Sequence, residues 1–389
     1  MGIEITSNQE GIKDFSLWCD FIEREFLECD FSALLSQGKF VGATSNPSIF
    51  ASAIGNSSAY KTALENLKGK SAKEKYEELA IADIALAADK LEPLYRADKN
   101  CGFISIEIDP LLCDDIKASV SEGRRLYEAI AKENVMIKVP ATQAGYAIMG
   151  ELAKAGIHIN ATLIFSKEQA IECARVLDKN LRGDSRGVIS VFVSRFDSVV
   201  DTSSQARVIK SCFVESFAKE LDLLDSANLA NSASLAKSAN SASLAKSANS
   251  ANLTTNLPCP ALGVLNAFAC YGEIEEVGNP HIRTLFASTG VKLDGLSKDY
   301  YITNLLAPHS VNTAPLSTIE AFWECANKVG GCKGIFSPLL KQNAKQNALD
   351  FIAKLNLGGK SLSQIQNTLL ANGLQAFKEA FCQMLKGLE

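Results

Sequence analysis

A single lysine interrupts a short apolar run near the middle of the chain. The run covers Val135–Val139, and Lys138 is its fourth residue. Lysine is among the side chains least often fully buried without a partner, so this position needs an explanation. One explanation is an edge strand, from which the ammonium group reaches water along its own aliphatic stem. The other is an amine that attacks a carbonyl group, and this run alone does not choose between the two.

Further polar residues lie within or just after other apolar runs. They are Asp20, Asn46, Glu107, Thr162 and Ser190. Taken singly, these residues have structural explanations, because Asp20 and Asn46 suit helix caps and Glu107 suits an exposed strand face.

Together with Lys138, this set matches the needs of carbonyl chemistry through a Schiff base. The lysine forms the iminium ion, and a carboxylate with a water moves protons while the carbinolamine forms and breaks down. A second acid/base group takes the proton of a hydroxyl as a carbon–carbon bond breaks. Amide and hydroxyl groups hold the substrate hydroxyls. This chemistry requires that the residues meet at one place in the fold.

The arrangement of apolar runs predicts such a meeting place. Eight short runs alternate with helical patterns, which indicates a parallel sheet closed into a single (β/α)8 TIM barrel. The carboxyl ends of all eight strands would then surround one mouth. The predicted strands are Phe15–Phe21, Phe40–Thr44, Phe103–Ile108, Val135–Val139, Ile159–Phe165, Val188–Ser194, Thr284–Ser288 and Tyr300–Asn304.

Several helix boundaries are also legible. Pro47 follows Asn46 at a position where the first helical turn tolerates a missing N–H. Gly156 suits the left-handed residue that ends a helix, and Ser166 with Gln169 forms a capping box that begins the next one.

One segment departs from the pattern of the barrel. At about 226–255 the chain consists almost entirely of Ser, Ala, Asn, Leu and Lys, and Ser232–Asn240 recurs unchanged at Ser241–Asn249. Its leucines lie nine residues apart, on opposite sides of a helix, so no apolar stripe is available for burial. We expect one barrel domain over residues 1–389, interrupted by this mobile or marginally helical repeat insertion and completed by C-terminal helices from Ala344.

Composition argues against several functional classes. Charged residues make up 21% of the 389, the net charge is −5 and the basic residues form no long run, so neither a nucleic acid nor a membrane is a predicted partner. The three histidines, His158, His281 and His309, are not paired at metal-ligand spacing. We therefore expect no metal site, and acid/base work falls to carboxylates, lysine or tyrosine.

The cysteines and the N-terminus favour a cytoplasmic protein. The 11 cysteines contain no C-x-x-C pair, which is typical of reduced thiols in a reducing compartment. The N-terminus has no basic region followed by an apolar run, and no stretch approaches about 18 uninterrupted apolar residues. Cys19 adjoins Asp20, and redox modulation there is an alternative to a packed free thiol.

Several motifs, taken in order along the chain, resemble the transaldolase family and more closely its longer bacterial branch. The resemblance runs from about Asp14 to the C-terminal helices and omits the repeat insertion. The motifs are Leu17-Trp18-Cys19-Asp20, Thr44-Ser45-Asn46-Pro47-Ser48-Ile49-Phe50, Ile106-Glu107, Ile137-Lys138-Val139-Pro140-Ala141-Thr142, Asn160-Ala161-Thr162-Leu163-Ile164-Phe165-Ser166, Phe192-Val193-Ser194-Arg195 and Leu285-Phe286-Ala287-Ser288-Thr289-Gly290.

The resemblance implies a barrel of the class I aldolase type and a role for each site residue. Lys138 would be the Schiff-base lysine and Asp20 the acid/base group for bond cleavage, while Glu107 and Thr162 would handle the catalytic water. Asn46 and Ser190 would bind the dihydroxyacetone portion of the substrate.

The resemblance also implies a phosphate site and no cofactor. Arg195 matches the phosphate-binding arginine of the family, although an ion pair with Asp197 is an alternative for this residue. Ser288 and Lys292 would replace a second arginine that shorter transaldolases carry. No metal or organic cofactor is needed, because the protonated imine is itself the electron sink.

The implied reaction transfers a three-carbon ketol unit between sugar phosphates. Sedoheptulose 7-phosphate and glyceraldehyde 3-phosphate would exchange with erythrose 4-phosphate and fructose 6-phosphate in the non-oxidative pentose phosphate pathway. One alternative is a fructose 6-phosphate aldolase-like lyase on the same fold, against which Glu107 argues, since the related aldolases carry Gln there. The other is a catalytically silent barrel whose repeat insertion binds a partner. The sequence does not indicate an oligomeric state.

Overall fold

Eight parallel strands close into a barrel in the computed structural model, which describes residues 14–200, 261–328, 334 and 343–389. Each strand pairs with the next, and the last pairs with the first, so the predicted (β/α)8 TIM barrel is confirmed. The strands are β1 (Ser16–Cys19), β2 (Ala43–Thr44), β3 (Ile104–Glu107), β4 (Val135–Pro140), β5 (His158–Ile164), β6 (Gly187–Phe192), β7 (Ile282–Ala287) and β8 (Ser310–Ala314).

Helices surround the barrel and continue beyond it at the C-terminal end of the chain. None of the helices in the described ranges is long and apolar enough to cross a membrane. The helices are α1 (Arg24–Glu28), α2 (Phe31–Ser36), α3 (Pro47–Asn56), α4 (Lys61–Asn66), α5 (Ala72–Ala97), α6 (Ile116–Ile130), α7 (Gln143–Lys154), α8 (Lys167–Asn180), α9 (Leu262–Glu275), α10 (Tyr300–Asn304), α11 (Leu316–Ala326), α12 (Ala344–Ile352) and α13 (Leu362–Lys386).

The predicted helix boundaries are confirmed by their hydrogen bonds. The Asn46 side chain accepts from the backbone N–H of Ile49, and Pro47 opens α3. Gly156 follows α7 with a φ of +80°. Ser166 and Gln169 form the reciprocal capping box of α8. Local sequence therefore determines where these helices begin and end.

The predicted eighth strand was wrong. Tyr300–Asn304 forms α10, in which the N–H and side chain of Thr303 both donate to Asp299, at 2.9 Å each. A five-residue run of mixed apolar and β-branched residues suits either structure, and this hydrogen bonding selects the helix. The real β8, Ser310–Ala314, carries three polar side chains, so a search for apolar runs passes over it.

The apolar core lies between the strands and the helices outside them. Every residue of β4 and β5 is buried, as expected for inner strands of a parallel barrel that helices cover. The repeat insertion at about 226–255 lies outside the described residues, so its structure and the single-domain organisation stay predictions.

Candidate active site

A cavity of about 200 Å³ opens at the carboxyl ends of the strands. This is the mouth at which a parallel barrel brings together side chains from many strands. Its lining includes seven of the predicted site residues, which come from six different strands or the turns after them, namely Asp20, Asn46, Lys138, Thr162, Ser190, Arg195 and Ser288. Glu107 lines a smaller cavity that adjoins Lys138 and Thr162.

Lys138 is buried on a strand with neighbours on both sides. The register places Glu107 of β3 and Asn160 of β5 beside it. Lys138 Nζ lies 3.1 Å from Glu107 Oε1 and donates to the Ser45 carbonyl at 3.0 Å. Because β4 is not an edge strand and the amine faces the cavity, the edge-strand explanation for this lysine is excluded.

Glu107 is a buried carboxyl whose surroundings raise its pKa, as suits a group that exchanges protons. Burial raises its pKa, and the positive charge of Lys138 opposes this rise. Neither Glu107 Oε2 nor Thr162 Oγ1 finds a hydrogen-bond partner in the part of the chain that the structure describes. Buried polar atoms are almost always satisfied by protein or water, so these two atoms mark a position suited to a water beside Lys138.

A bulge in strand β5 accompanies the position of Thr162. The pairing of β5 with β6 shifts register between Ala161 and Ile164, and Leu163 has a φ of +60°. A bulky residue in the left-handed region is strained, at a cost of about 1–3 kcal/mol. Bulges of this kind redirect side chains next to active sites. The strain at Leu163 is thus associated with the orientation of the neighbouring Thr162.

Asp20 follows β1 and belongs to a hydrogen-bonded set of polar side chains. Its Oδ1 accepts from Thr44 Oγ1 at 2.7 Å, and Thr44 Oγ1 lies 2.9 Å from Thr313 Oγ1 of β8. The exposed part of Asp20 faces the cavity, and burial raises its pKa, while the charge of Lys138 and the Thr44 hydrogen bond lower it. A carboxylate with a raised pKa is a stronger base near neutral pH.

A second set of polar side chains crosses the barrel interior. Ser190 Oγ donates to Asn160 Oδ1 at 2.6 Å, and Asn160 Nδ2 donates to Ser105 Oγ at 3.0 Å. These bonds fix the Ser190 hydroxyl at the cavity wall. Across the cavity, Asn46 uses its amide oxygen to cap α3, which leaves its NH2 group for a ligand.

The cationic end of the cavity centres on Arg195, in a short 3-10 helix (Ser194–Ser198) after β6. Its guanidinium group packs over the Phe192 ring, 5.2 Å from the centroid. Burial lowers the pKa of Arg195, and the Glu107 carboxylate acts in the opposite direction. Arg195 lines the cavity, as expected for a phosphate-binding residue. Oδ1 of Asp197 has no partner among the described residues, and burial raises the pKa of Asp197 to about 8, so these observations do not favour an ion pair with Arg195.

The two residues predicted for a second phosphate contact differ in position. Ser288 lines the cavity with a φ of +56°, and its hydroxyl lies 3.0 Å from Ser194 Oγ. Lys292 is exposed and is not part of the cavity wall in the described structure. The role of Lys292 stays a prediction.

Cys19 lies beside Asp20 at the end of β1. The Cys19 thiol is buried, and burial together with the adjacent Asp20 raises its pKa, which favours a packed, unreactive thiol. Across residues 14–200, 261–328 and 343–389, no group of three or more His, Cys, Asp or Glu side chains could hold a metal ion.

Sequence reasoning missed part of the cavity wall. Thr44, Ser48 and Thr313 line the cavity but are not among the predicted site residues. Thr44 and Ser48 lie in the motif around Asn46, and Thr313 belongs to β8, which was not predicted as a strand. Polar and apolar residues alternate only over Ser310-Val311-Asn312, so the sequence carries a weak signal for that strand. Ala376 and Phe377 of α13 also line the cavity, and only the packing of α13 brings them there.

Comparisons with known proteins agree with this geometry. A family model described as Transaldolase/Fructose-6-phosphate aldolase matches residues 17–388. A Campylobacter jejuni protein (subsp. jejuni serotype O:23/36, strain 81-176) named Transaldolase is 43% identical over 396 residues, covering 97% of this chain and all of the relative. A Helicobacter pylori (strain P12) protein of the same name is 40% identical over 382 residues, covering 96% of this chain and 99% of the relative. The chain therefore belongs to the transaldolase/fructose-6-phosphate aldolase family.

Proposed function

We propose that this chain is a transaldolase that works through a Schiff base on Lys138. It transfers a dihydroxyacetone unit from sedoheptulose 7-phosphate to glyceraldehyde 3-phosphate and gives erythrose 4-phosphate and fructose 6-phosphate, in the non-oxidative pentose phosphate pathway. The observation that carries the proposal is the buried Lys138 amine, 3.1 Å from Glu107 and open to a cavity lined by polar groups. The relatives named Transaldolase support the same reaction.

The first steps join the ketose to the lysine. Lys138 Nζ in its neutral form attacks the ketose carbonyl carbon, and the carbinolamine then loses water to give the iminium ion. Glu107 exchanges protons with the departing water, because its free Oε2 and Thr162 Oγ1 bound the same small space. The Ser45 carbonyl, which accepts from Nζ, keeps the nitrogen in position.

The next step breaks a carbon–carbon bond. Asp20 takes the proton of the hydroxyl on the carbon that becomes the aldehyde, and the electron pair of the breaking bond moves into the iminium ion to form an enamine. Thr44 orients the Asp20 carboxylate through its 2.7 Å hydrogen bond. Asn46 and Ser190 hold the hydroxyls of the three-carbon unit, which stays on Lys138 until an acceptor aldehyde arrives.

The substrate phosphate binds at the cationic end of the cavity. The planar guanidinium group of Arg195 suits two phosphate oxygens at once, and the Ser288 hydroxyl lies on the same side. Lys292 would contribute only if its exposed side chain turned towards a bound phosphate. No metal or organic cofactor enters this scheme, because the protonated imine accepts the electrons.

A coupled assay separates transfer from simple cleavage. We expect rapid formation of glyceraldehyde 3-phosphate from fructose 6-phosphate when erythrose 4-phosphate is present, and only slow release of dihydroxyacetone without an acceptor. Release at the transfer rate without any acceptor would replace the transferase assignment with a fructose 6-phosphate aldolase-like lyase. Absence of both activities would favour the catalytically silent barrel.

We also propose a single barrel domain, interrupted at about 226–255, in a cytoplasmic protein. The eight cysteines in the described residues are free thiols, which supports a reducing compartment. Deletion of the repeat insertion tests the domain proposal, because an added element can be removed with transfer activity retained.

A further inference from the structure

Ser288 has an unfavourable backbone conformation at the wall of the cavity. It directly follows β7 with a φ of +56°, in the left-handed region that side chains other than Gly, Asn, Asp and His seldom adopt. Such conformations persist only where the surrounding structure holds them, and they are concentrated at functional sites. The contacts that hold Ser288 therefore bear on its role at the cationic end of the cavity.

On one side, Ser288 is bonded to the segment that carries Arg195. The backbone N–H of Ser194 donates to the Ser288 carbonyl at 3.0 Å, and the two serine hydroxyls also lie 3.0 Å apart. Arg195 is the next residue after Ser194 in the 3-10 helix that follows β6. A shift of Ser288 would therefore disturb both groups proposed to contact the substrate phosphate.

On the other side, Thr289 ties the same turn to β8. Its side chain is fully buried, and its hydroxyl lies 2.7 Å from the Thr313 carbonyl oxygen and 3.0 Å from Asn312 Oδ1, within donating distance of both. Gly290 then packs on Pro315, where an added Cβ would lie 3.3 Å from Pro315 Cγ. A buried hydroxyl without such acceptors loses free energy, so these bonds favour one position of the turn.

The strand that anchors Thr289 also supports the opposite end of the site. Thr313 offers its carbonyl to Thr289, and its hydroxyl lies 2.9 Å from Thr44 Oγ1, which donates to Asp20. One residue of β8 thus connects the turn at Ser288 with the proposed base. Thr289 itself is not among the described residues that line the cavity, so its contribution is to position other residues.

We propose that Thr289 is a positioning residue for the phosphate site. Its hydroxyl holds Ser288 in the left-handed conformation, so that the Ser288 hydroxyl and the Arg195 segment meet the substrate phosphate at one fixed place. Without this hydroxyl, the turn relaxes and phosphate binding weakens, while imine formation at Lys138 continues. The inference rests on the proposed transaldolase function and deepens it, because it names the side chain that orients the phosphate contacts.

The test uses variants of Thr289 that differ in the hydroxyl alone. Thr289→Val keeps the branched shape and lacks the hydroxyl, whereas Thr289→Ser keeps the hydroxyl and lacks a methyl group. Thr284→Val is the matched control, because Thr284 of β7 is equally buried and its hydroxyl has no partner among the described residues. Thr289→Ala is a second variant without the hydroxyl in case the valine variant fails to fold.

Three measurements separate phosphate binding from the chemistry at Lys138. They are the KM for fructose 6-phosphate in transfer to erythrose 4-phosphate, the inhibition constant of inorganic phosphate, and the rate at which borohydride traps dihydroxyacetone on Lys138. Dihydroxyacetone carries no phosphate, so its trapping needs the lysine and its proton carriers but not the phosphate site. Loss of folded enzyme lowers kcat and leaves KM unchanged, so a purely structural defect does not imitate weaker phosphate binding.

We expect Thr289→Val to raise both the KM and the inhibition constant about tenfold, as for the loss of one hydrogen bond to a charged group. The rate of dihydroxyacetone trapping should stay that of the wild type. Thr289→Ser and Thr284→Val should match the wild type in all three measurements.

A double variant shows whether Thr289 acts through Ser288. Ser288→Ala alone should also raise the KM for fructose 6-phosphate. Because residues that act through one contact are not additive, Thr289→Val combined with Ser288→Ala should raise the KM by less than the product of the two single effects. A full product would show that Thr289 acts elsewhere, and an unchanged KM in Ser288→Ala would show that there is no contact to position; either result overturns the inference.

The outcomes distinguish this inference from the proposed function. If the wild type transfers the three-carbon unit but Thr289→Val keeps its KM, or slows dihydroxyacetone trapping by the factor that raises KM, the role of Thr289 is wrong and the transaldolase proposal stands. If the wild type shows no transfer, the proposed function fails, and calorimetry with inorganic phosphate tests Thr289 independently. Weaker binding by Thr289→Val than by the wild type would support the positioning role, and equal binding would overturn it.

Discussion

Replacement of Asp20 by Asn isolates its role as a base. Asp20 Oδ1 accepts a hydrogen bond from Thr44 Oγ1 at 2.7 Å, and the Asn amide oxygen can accept the same bond. The variant therefore keeps the shape and the polar contact at the end of β1. It loses only the ability to take a proton, and its effect reports on bond cleavage.

The expected loss is large compared with a structural effect. A positioned general base contributes about 10²–10⁴ in rate, or about 3–5 kcal/mol of barrier. A weakened hydrogen bond to Thr44 would account for only about 1 kcal/mol, or about fivefold. Carbinolamine formation and loss of water do not use Asp20 in the proposed mechanism. The variant should therefore form the imine and stop before the carbon–carbon bond breaks.

Borohydride reduction followed by mass spectrometry shows directly how many carbons the lysine adduct carries. With fructose 6-phosphate, the wild type should carry a three-carbon adduct, whereas Asp20→Asn should accumulate a six-carbon phosphorylated adduct on the same lysine. Asp109→Asn is a matched control, because this carboxylate pairs with Lys73 and lines neither cavity. A three-carbon adduct formed at the wild-type rate by Asp20→Asn would refute the assignment of Asp20 as the base.

Two further predictions address other parts of the molecule. Glu107→Gln should slow formation of the Lys138 adduct by about 10² or more, while the adduct keeps three carbons, because Glu107 acts before the carbon–carbon bond breaks. Rapid-quench trapping with borohydride measures the rate of adduct formation. A six-carbon adduct would contradict the separate roles of Glu107 and Asp20. His158, buried at the start of β5, accepts at Nδ1 from the Arg186 N–H at 2.8 Å, and burial lowers its pKa to about 4. In the unfolded chain this histidine takes up a proton near pH 6.5, whereas in the folded protein it does so only near pH 4. The free energy of unfolding should therefore have its full value above pH 6.5 and fall by about 3 kcal/mol between pH 6.5 and 4. His158→Gln should remove this part of the decline in denaturant titrations, and an equal decline in both proteins would show that His158 is not its source.

The barrel and most of its site were predictable from local patterns. Lys138, Glu107 and Asp20 lie in or directly after apolar runs, and a barrel brings strand ends together whatever the details of register. That reasoning needs only strand order and direction. It failed at β8, because Asn312 and Thr313 are polar residues that hydrogen-bond to Thr289 and Thr44, so this strand does not form an apolar run.

Features that depend on register or on distant packing were not predictable. The orientation of Thr162 relies on the bulge at Leu163, which one sequence does not reveal. Phe377 reaches the site from a helix more than 200 residues after Lys138, and it reads in the sequence as an ordinary apolar residue of that helix. Lys292 was chosen by resemblance; it is exposed, and its role in phosphate binding stays a prediction.

In the proposed mechanism, Lys138 is the residue that forms the imine. Wild-type protein is incubated with fructose 6-phosphate, reduced with borohydride, digested and sequenced by mass spectrometry. We expect one modified peptide, with a reduced dihydroxyacetone adduct on Lys138, and no adduct on a Lys138→Ala variant. An adduct on another lysine, or unmodified protein after turnover in the coupled assay, would show that Lys138 does not form the imine.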